Sequence, residues 1–448
     1  MRRSLLLTYL MGCCSVACGA RTELFGASAE QAGQGGSGGV PNGPTVGPGG
    51  SGGSGGEGGS AAPCDRIVLT EPILTLAGGN GFHQRQPALT YSSDARDRVT
   101  VVSEWFVVEG PAIPPSELRH TSFAPWGSNW PADGTIEPSY LADLDAGVSF
   151  AAAPMTNDRL ALLMSDGEKV QAPNGVLFSL DFGPGTGNLP PKHPVSTEAE
   201  NAWFAALSID GGHHLVGVGL PGVPLSSVAF VLTEADDGLG IGSPIPLGCS
   251  DSPVLVDAVA SDDGWLVVGA TAPGYDAVPC LDPGPVGLGK QIYTAHVDAR
   301  GAVAACTTID DVQIIHGVSA APRPNGAWAT WVYGDGRIEA AAIDVDGCAA
   351  KVFTVVEEGP QASMVGAGEL GGNLVVAFFL QSTLAVLVFD ESGSKLFDGS
   401  IPVTDGAPDA TYPHLEVLGS PEGDAFLVAW SQIEESGMRA RVARFECR

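Results

Sequence analysis

The segment FLVAWSQ, residues 426–432, decides the fold, because six similar apolar segments recur along the chain. Each is mostly apolar, and most follow a turn rich in Gly, Asp or Asn. The other copies begin at Val99, Leu160, His214, Trp265, Ala327 and Leu374. Their starts are separated by 61, 54, 51, 62, 47 and 52 residues. This loose period is typical of a repeated unit of four β-strands.

Shorter apolar segments flank each copy and complete the repeat. A preceding strand ends in a turn, as VLVDAVA at 254–260 does before SDDG at 261–264. A following strand, such as IEAAAI at 338–343, runs into a D-x-x-G turn at 344–347. Asp at the first turn position accepts hydrogen bonds from the turn backbone, and Gly at the fourth tolerates positive φ. A further strand then follows, so the pattern predicts four antiparallel strands per repeat.

The two ends of the repeat region complement each other. The last copy stops after its third strand, RARVARF at 439–445, whereas CDRIVLT at 64–70 is similar to the internal fourth strand CAAKVFT at 348–354. An N-terminal strand that completes the last blade closes a ring without an open edge. The sequence therefore predicts an all-β fold, a seven-bladed β-propeller over residues 64–448 closed by an N-terminal strand. A string of immunoglobulin-like sandwiches is the rival, but the repeat is about half a sandwich long.

The chain begins with Met-Arg-Arg and an apolar run to residue 17, which is the layout of a secretory signal. LMGC at 10–13 and SVAC at 15–18 both resemble the lipobox of bacterial lipoproteins, in which the cysteine is lipidated. We expect lipidation at Cys18, because it leaves an apolar region of usual length, with Cys13 as the alternative. CGARTEL at 18–24 also resembles the start of uncharacterised Gram-negative lipoproteins. The resemblance implies a signal peptide at 1–17 and an exported protein. In such lipoproteins an aspartate after the lipidated cysteine is the usual signal for retention in the inner membrane. Gly19 at this position therefore implies sorting to the outer membrane, in an undetermined leaflet.

Residues 18–63 are predicted to be a disordered Gly/Ser-rich linker, since 16 of the 38 residues from 26 to 63 are glycine. The formal net charge of −30 disfavours nucleic acid as a partner, because few lysines and arginines are present to neutralise phosphates.

Six cysteines follow the lipidation site, and an even number in an exported chain suggests disulfides. Ring closure would bring Cys64 and Cys447 onto neighbouring strands, so we predict that pair. Cys249 with Cys280 is plausible, which leaves Cys306 with Cys348; six cysteines allow 15 pairings, and the assignment stays open. No C-x-x-C spacing indicates zinc.

Several motifs are better explained as turns than as sites. G-x-G-x-x-G occurs at 217–222 and 366–371, and GPVGLGK at 284–290 approaches a phosphate loop, but no helix is expected after any of them to hold a phosphate. These are predicted to be hairpin or loop glycines. The eight histidines form no metal motif, and we expect no metal or cofactor; the acidic turns 143–145 and 344–346 make calcium a weaker alternative. His83, His316 and His414 fall near the starts of first strands, which line a propeller channel.

Two places gather groups suited to ligand contact. Trp126 and Trp130 lie in an irregular segment of the first repeat, where an exposed indole can stack on a sugar ring. Glu104 beside Trp105 is the second candidate.

The anchor, linker and repeats together resemble those of bacterial surface lipoproteins with a β-propeller, without reaching a named functional family. We interpret the chain as a monomeric, membrane-tethered, non-enzymatic module that binds a protein or glycan. A polysaccharide hydrolase or lyase with acidic residues at the channel is the alternative, and a structural envelope protein is a further one. Catalytic residues cannot be assigned, and the fold does not choose among these functions.

Overall fold

The computed structural model consists of β-strands arranged as a β-propeller, which confirms the predicted all-β propeller class. The structure describes residues 66–77, 82–91, 96–107, 116–127, 130–131, 134–136, 138–144, 150–155, 159–165, 177–182, 192–196, 209–210, 213–219, 227–235, 238–246, 253–261, 264–271, 291–298, 300, 303–311, 315–345, 349–357, 365–380, 383–402, 415–434 and 437–448. The predicted signal peptide and linker, with Cys13 and Cys18, lie outside these residues. So do Cys64, Cys249, Cys280 and Cys348. No apolar helix of bilayer-spanning length occurs within the described ranges.

Five sheets are blades with a described buried core, and each is named here by its first strand. The β2 blade contains β2 (Phe82–Tyr91), β3 (Val99–Val107), β4 (Ser116–Phe123) and β6 (Ser139–Leu144). The β15 blade contains β15 (Pro253–Ser261), β16 (Gly264–Thr271), β17 (Gln291–Asp298) and β18 (Val303–Asp311). The β19 blade contains β19 (Ile315–Arg323), β20 (Gly326–Tyr333), β21 (Ile338–Asp344) and β22 (Ala349–Val356). The β23 blade contains β23 (Val365–Leu370), β24 (Asn373–Leu380), β25 (Thr383–Phe389) and β26 (Lys395–Pro402).

The fifth blade, called the closing blade, joins the two ends of the repeat region. It contains β27 (Leu415–Gly419), β28 (Ala425–Glu434), β29 (Gly437–Cys447), β1 (Ile67–Leu76) and β5 (Thr135–Ile136), in that order. Strand β1 pairs antiparallel with β29, from Ile67 opposite Cys447 to Thr75 opposite Arg441. Strand β5 pairs parallel with β1, so this blade has five strands where the repeat predicts four.

The remaining strands form two further four-stranded sheets. One contains β7 (Phe150–Met155), β8 (Arg159–Ser165), β9 (Leu177–Phe182) and β10 (Lys192–Ser196). The other contains β11 (Ile209–Asp210), β12 (His213–Gly219), β13 (Ser227–Ala235) and β14 (Gly238–Pro246). Only scattered side chains are described as buried in these sheets: Ala152, Leu160, Leu215 and Ile245.

The predicted count of seven blades is wrong, and the count is corrected to five, because five of the sheets have a described buried core. The number of repeated second strands in the sequence therefore overstates the number of blades.

The second strands are apolar throughout because both faces of each are covered. In β24, NLVVAFFL, six consecutive residues from Leu374 to Phe379 are buried, and β20 is buried along its whole length. A sheet covered on both faces favours such continuous apolar runs over alternation. The outermost strand β26 is mostly exposed, as expected for the rim of a propeller.

Polar side chains on the first strands link neighbouring sheets. Asp257, Ser319 and Glu416 occupy the same register, opposite the fourth residue of the repeated second-strand segment. Asp257 Oδ2 accepts a hydrogen bond from the backbone N–H of Ala320 at 2.8 Å, and Ser319 Oγ accepts one from Ala367 N–H at 3.1 Å. Glu416 Oε2 accepts one from Leu89 N–H. Each bond satisfies a backbone donor on the next first strand.

Candidate functional site

The two tryptophans of the predicted stacking segment are half-buried and held by hydrogen bonds. Trp126 Nε1 donates to the carbonyl oxygen of Arg96 at 3.0 Å, and Trp130 Nε1 donates to that of Pro72 at 2.7 Å. Both side chains pack against the core between the β2 blade and the closing blade. Packing is thus a role of both rings, and the uncovered part of each remains a candidate for stacking on a sugar.

Glu104 and Trp105 lie inside the β2 blade. Both side chains are buried, and Trp105 Nε1 donates to Ser103 Oγ at 2.8 Å. The guanidinium of Arg119 lies 4.4 Å from the Trp105 ring centroid and also pairs with Glu117 at 2.6 Å. Trp105 belongs to the same core against which Trp126 and Trp130 pack, so the structure brings these three indoles to one apolar cluster.

Few of the other sequence candidates fall where side chains are described. His83, His213, His214 and His316 lie in strands whose side chains are not described at those positions, and His414 and Asp346 lie outside the described residues. Asp344 pairs with Arg323 at 3.2 Å. Within the described ranges, no group of three or more His, Cys, Asp or Glu side chains is placed to hold a metal ion. Cys447 is disulfide-bonded; its predicted pairing with Cys64 stays a prediction.

A pocket of about 260 Å³ lies where the first strands of four adjacent blades end, and it is called here the mouth pocket. Its walls come from the C-terminal ends of β2, β19, β23 and β27 and from the turns that follow them. First strands line the channel of a propeller, so their shared ends form one mouth of that channel. The lining residues are Tyr91, Arg96, Pro322, Arg323, Pro324, Ala367, Gly368, Glu369, Val417, Leu418, Gly419, Ser420 and Pro421.

Glycines let the closing blade and the β23 blade approach closely beside this pocket. A Cβ at Gly419 would lie 2.3 Å from the carbonyl oxygen of Glu369, and one at Gly368 would lie 2.2 Å from Val417 Cγ1. Gly371 and Gly372 form the two-residue turn between β23 and β24, with φ of 59° and 88°. The G-x-G-x-x-G pattern at 366–371 is therefore a strand and a hairpin turn, which confirms that prediction.

Tyr91 is the aromatic wall of the pocket and connects two blades. Its hydroxyl donates a hydrogen bond to the carbonyl oxygen of Gly419 in the closing blade. Burial raises the pKa of Tyr91, the Arg96 charge opposes this shift, and the Glu369 charge adds to it. The hydroxyl therefore remains protonated at neutral pH, as a donor.

Two arginines border the pocket, and their surroundings differ. Arg323 pairs with Asp344 and with Glu391, each at 3.2 Å, and its guanidinium lies 5.4 Å from the Trp328 ring centroid. The half-buried Arg96 lies 5.7 Å from the Tyr91 ring centroid and, among the described residues, has no carboxylate at ion-pair distance. Burial lowers the pKa of Arg96. The pocket therefore contains one compensated cation and one uncompensated cation.

Glu369 is the one carboxylic acid among the described residues that line the pocket. One carboxyl oxygen, Oε1, accepts a hydrogen bond from the backbone N–H of Gly372. Burial raises the pKa of Glu369, and the bond from Gly372 partly opposes that shift. The pocket therefore favours the neutral form of the Glu369 carboxyl group more than bulk water does.

We expect Glu369→Gln to raise the thermal midpoint at pH 7 and to leave it unchanged near pH 4. A folded-state pKa above the unfolded value stabilises the fold at low pH, and this contribution is lost as pH rises through the folded pKa. Gln keeps the oxygen that accepts from Gly372 but carries no charge. Thermal unfolding of both proteins between pH 4 and 8 measures the effect, and parallel curves would contradict it.

Arg96, Tyr91 and Glu369 are site residues that the sequence analysis missed. Their shared signal is position, since Tyr91 is the last residue of β2, Glu369 is the last but one of β23, and Arg96 lies between β2 and β3. No local motif marks them, because Glu369 comes from a different repeat than Tyr91 and Arg96.

The sheets and the mouth pocket define a β-propeller protein with a ligand-sized pocket at its channel. No protein-family model matches the chain, and no curated protein matches it.

Solved structures resemble the chain at the level of the fold. A chain from a study of two prolyl endopeptidases aligns at 16% identity and TM-score 0.45, over 81% of this chain and 47% of that one. This protein thus spans about half the length of that chain. The β-propeller domain of Myceliophteria thermophila Cps50 (Swd1) aligns at 11% identity and TM-score 0.46, over 84% and 99%. NanB sialidase from Streptococcus pneumoniae, as its K499G mutant, aligns at 11% and 0.42, over 84% and 70%.

Proposed function

We propose that this protein is a binding module that takes up part of a glycan in the mouth pocket. The observation that supports this most is the pocket itself, a concave space assembled from four blades in which apolar and polar groups converge. Sites for small ligands have this composition. Its volume of about 260 Å³ lies just below the range of about 300 to 1,000 Å³ typical of drug-sized ligands. It suits one sugar residue of a longer chain.

The proposal includes the setting that the N-terminus implies. A lipid on Cys18, or on Cys13, would anchor the chain at the outer membrane, and the linker to residue 63 would hold the propeller away from the membrane surface. Its flexible span is on the order of 35 Å. A protein ligand and a purely structural role are the competing outcomes.

Hydrolysis of a polysaccharide is less well supported by this site. Glycoside hydrolases use a pair of carboxyl groups that flank the scissile bond. Glu369 is the only carboxyl group among the described lining residues. We therefore assign the pocket to binding.

Binding of the full-length protein to an array of polysaccharides and cell-envelope glycans tests the proposal. Pro421→Trp places a bulky ring at the exposed rim of the pocket and is expected to weaken binding at least about tenfold, because it occupies the space of the ligand. Leu396→Trp adds the same ring at an exposed position of the outer strand β26 and is the control. Equal binding by wild-type protein and Pro421→Trp would place the site elsewhere.

The same array separates the mouth pocket from the predicted stacking site. Trp130→Ala removes one indole whose hydrogen bond goes to Pro72, outside the pocket lining, whereas Trp126→Ala also removes the hydrogen bond to the carbonyl oxygen of the lining residue Arg96. Loss of binding in Trp130→Ala and in the Trp126→Ala, Trp130→Ala double variant, with a wild-type thermal midpoint and with Pro421→Trp unaffected, would assign glycan binding to the tryptophans. No binding of any glycan by the wild-type protein would contradict the proposed function.

A further inference from the structure

We infer that the mouth pocket recognises a carboxylated sugar, a uronic acid residue, through the guanidinium of Arg96. The inference rests on the proposed function and names the ligand class of that same pocket. Three observations support it: the charges of the lining residues, the shape of the pocket and the hydrogen bonds that the residues around Arg96 can make.

Among the described residues, no carboxylate lies at ion-pair distance from the Arg96 guanidinium. Arg119, Arg337 and Arg444 pair with glutamates at 2.6, 2.9 and 2.7 Å, whereas the Arg96 guanidinium lies 5.7 Å from the centroid of the Tyr91 ring. A half-buried cation loses hydration, and an anion that binds it bidentately restores the lost interactions. Carboxylate matches the planar fork of the guanidinium.

The charge balance favours a monoanion over a phosphate. Arg323 is already neutralised by Asp344 and Glu391, so Arg96 supplies one uncompensated positive charge. The whole chain has a formal charge of −30, which opposes the approach of a dianion more than that of a single carboxylate.

The other walls suit the remainder of a sugar ring. Pro322 and Pro324 offer apolar surface for the C–H faces of the ring. One oxygen of the Glu369 carboxyl group accepts from the backbone N–H of Gly372, and the second oxygen can accept a hydrogen bond from a ligand hydroxyl. A carboxylate at Arg96 and a ring against the prolines would thus both lie in one small pocket.

Calorimetric titration of the full-length protein tests this inference. The probes are uronic acid trisaccharides of glucose, galactose and mannose configuration, each with its neutral counterpart, and a tripeptide with a free C-terminal carboxylate. We expect at least one uronate to bind at least about tenfold more tightly than its neutral counterpart. Arg96→Gln should remove that preference, and Arg96→Lys should retain part of it.

Arg98→Gln is the matched control, because it removes the same charge two residues away at an exposed position where the guanidinium donates to the carbonyl oxygen of Ser122. Its affinity should equal that of the wild type. Arg96→Gln keeps the backbone carbonyl that accepts from Trp126, so its thermal midpoint checks folding.

The remaining outcomes separate the inference from the proposed function. Equal binding of a uronate and its neutral counterpart, or unchanged binding by Arg96→Gln, would overturn the uronate inference while glycan binding stands. Preference for the tripeptide over every sugar would retain the carboxylate site and overturn its assignment to a sugar. Absence of binding to all sugars would contradict both.

Discussion

Gly264→Ala and Gly326→Ala are each expected to destabilise the protein by about 3 kcal/mol. The two glycines are the first residues of the second strands β16 and β20, where each lies opposite the last residue of the third strand. A Cβ at Gly264 would lie 2.0 Å from the carbonyl oxygen of Val297, and one at Gly326 would lie 1.9 Å from that of Ile343. Ordinary contacts between heavy atoms are about 3.5 to 4.0 Å, so the backbone must move.

Urea unfolding of the full-length variants measures this loss, and Gly127→Ala is the control. Gly127 has φ of 68° and no atom within 4 Å of a built Cβ, so only backbone strain opposes the substitution there. We expect a cost of about 1 kcal/mol at Gly127. Equal losses at all three positions would contradict the steric explanation.

Asp257→Ala and Glu416→Ala are each expected to cost about 2 to 3 kcal/mol, because each removes the acceptor of a backbone N–H on the neighbouring first strand. Asp257 is 1% exposed and its Oδ1 also accepts from Ala258 N–H at 2.8 Å. Glu416 is 3% exposed and accepts from Leu89. A buried donor that loses its partner pays its desolvation cost without compensation.

Exposed Asp398 provides the control for these substitutions. It pairs with Lys395 at 2.6 Å on the outer strand β26, and such surface pairs contribute little, so Asp398→Ala should change the free energy of unfolding by less than about 0.5 kcal/mol. Chemical denaturation measures all three variants. A loss below about 0.5 kcal/mol at both Asp257 and Glu416 would mean that these bonds do not hold neighbouring first strands together.

The propeller class was accessible from sequence because it depends on local patterns. Each repeated second strand is a short apolar run between turns, and this pattern can be recognised without knowing which strands pair. The blade count was not accessible in the same way. The predicted count of seven was taken from the number of repeated second strands, and a repeated apolar strand does not by itself show that its sheet is a blade.

The mouth pocket was inaccessible from sequence because its groups converge only when the ring forms. Arg96 lies between the first and second strands of one blade, and Glu369 is the last but one residue of the first strand of another. The rejected G-x-G-x-x-G pattern at 366–371 was close to the site, since it contains Glu369 and directly precedes Gly372, whose backbone N–H donates to the Glu369 carboxyl group. By contrast, Trp126 and Trp130 were predicted as a stacking site because they lie close together in the sequence. The structure shows that both help to pack the core.

Hydrogen–deuterium exchange of the full-length protein, with and without a uronate polysaccharide such as polygalacturonate, tests most directly whether the mouth pocket is the binding site. We predict slower exchange in peptides that cover residues 89–98, 322–326, 366–372 and 417–424, because a ligand in the pocket would restrict these turns. Slower exchange confined to residues 124–131, or to the outer strand at 395–402, would contradict the assignment of binding to the channel mouth.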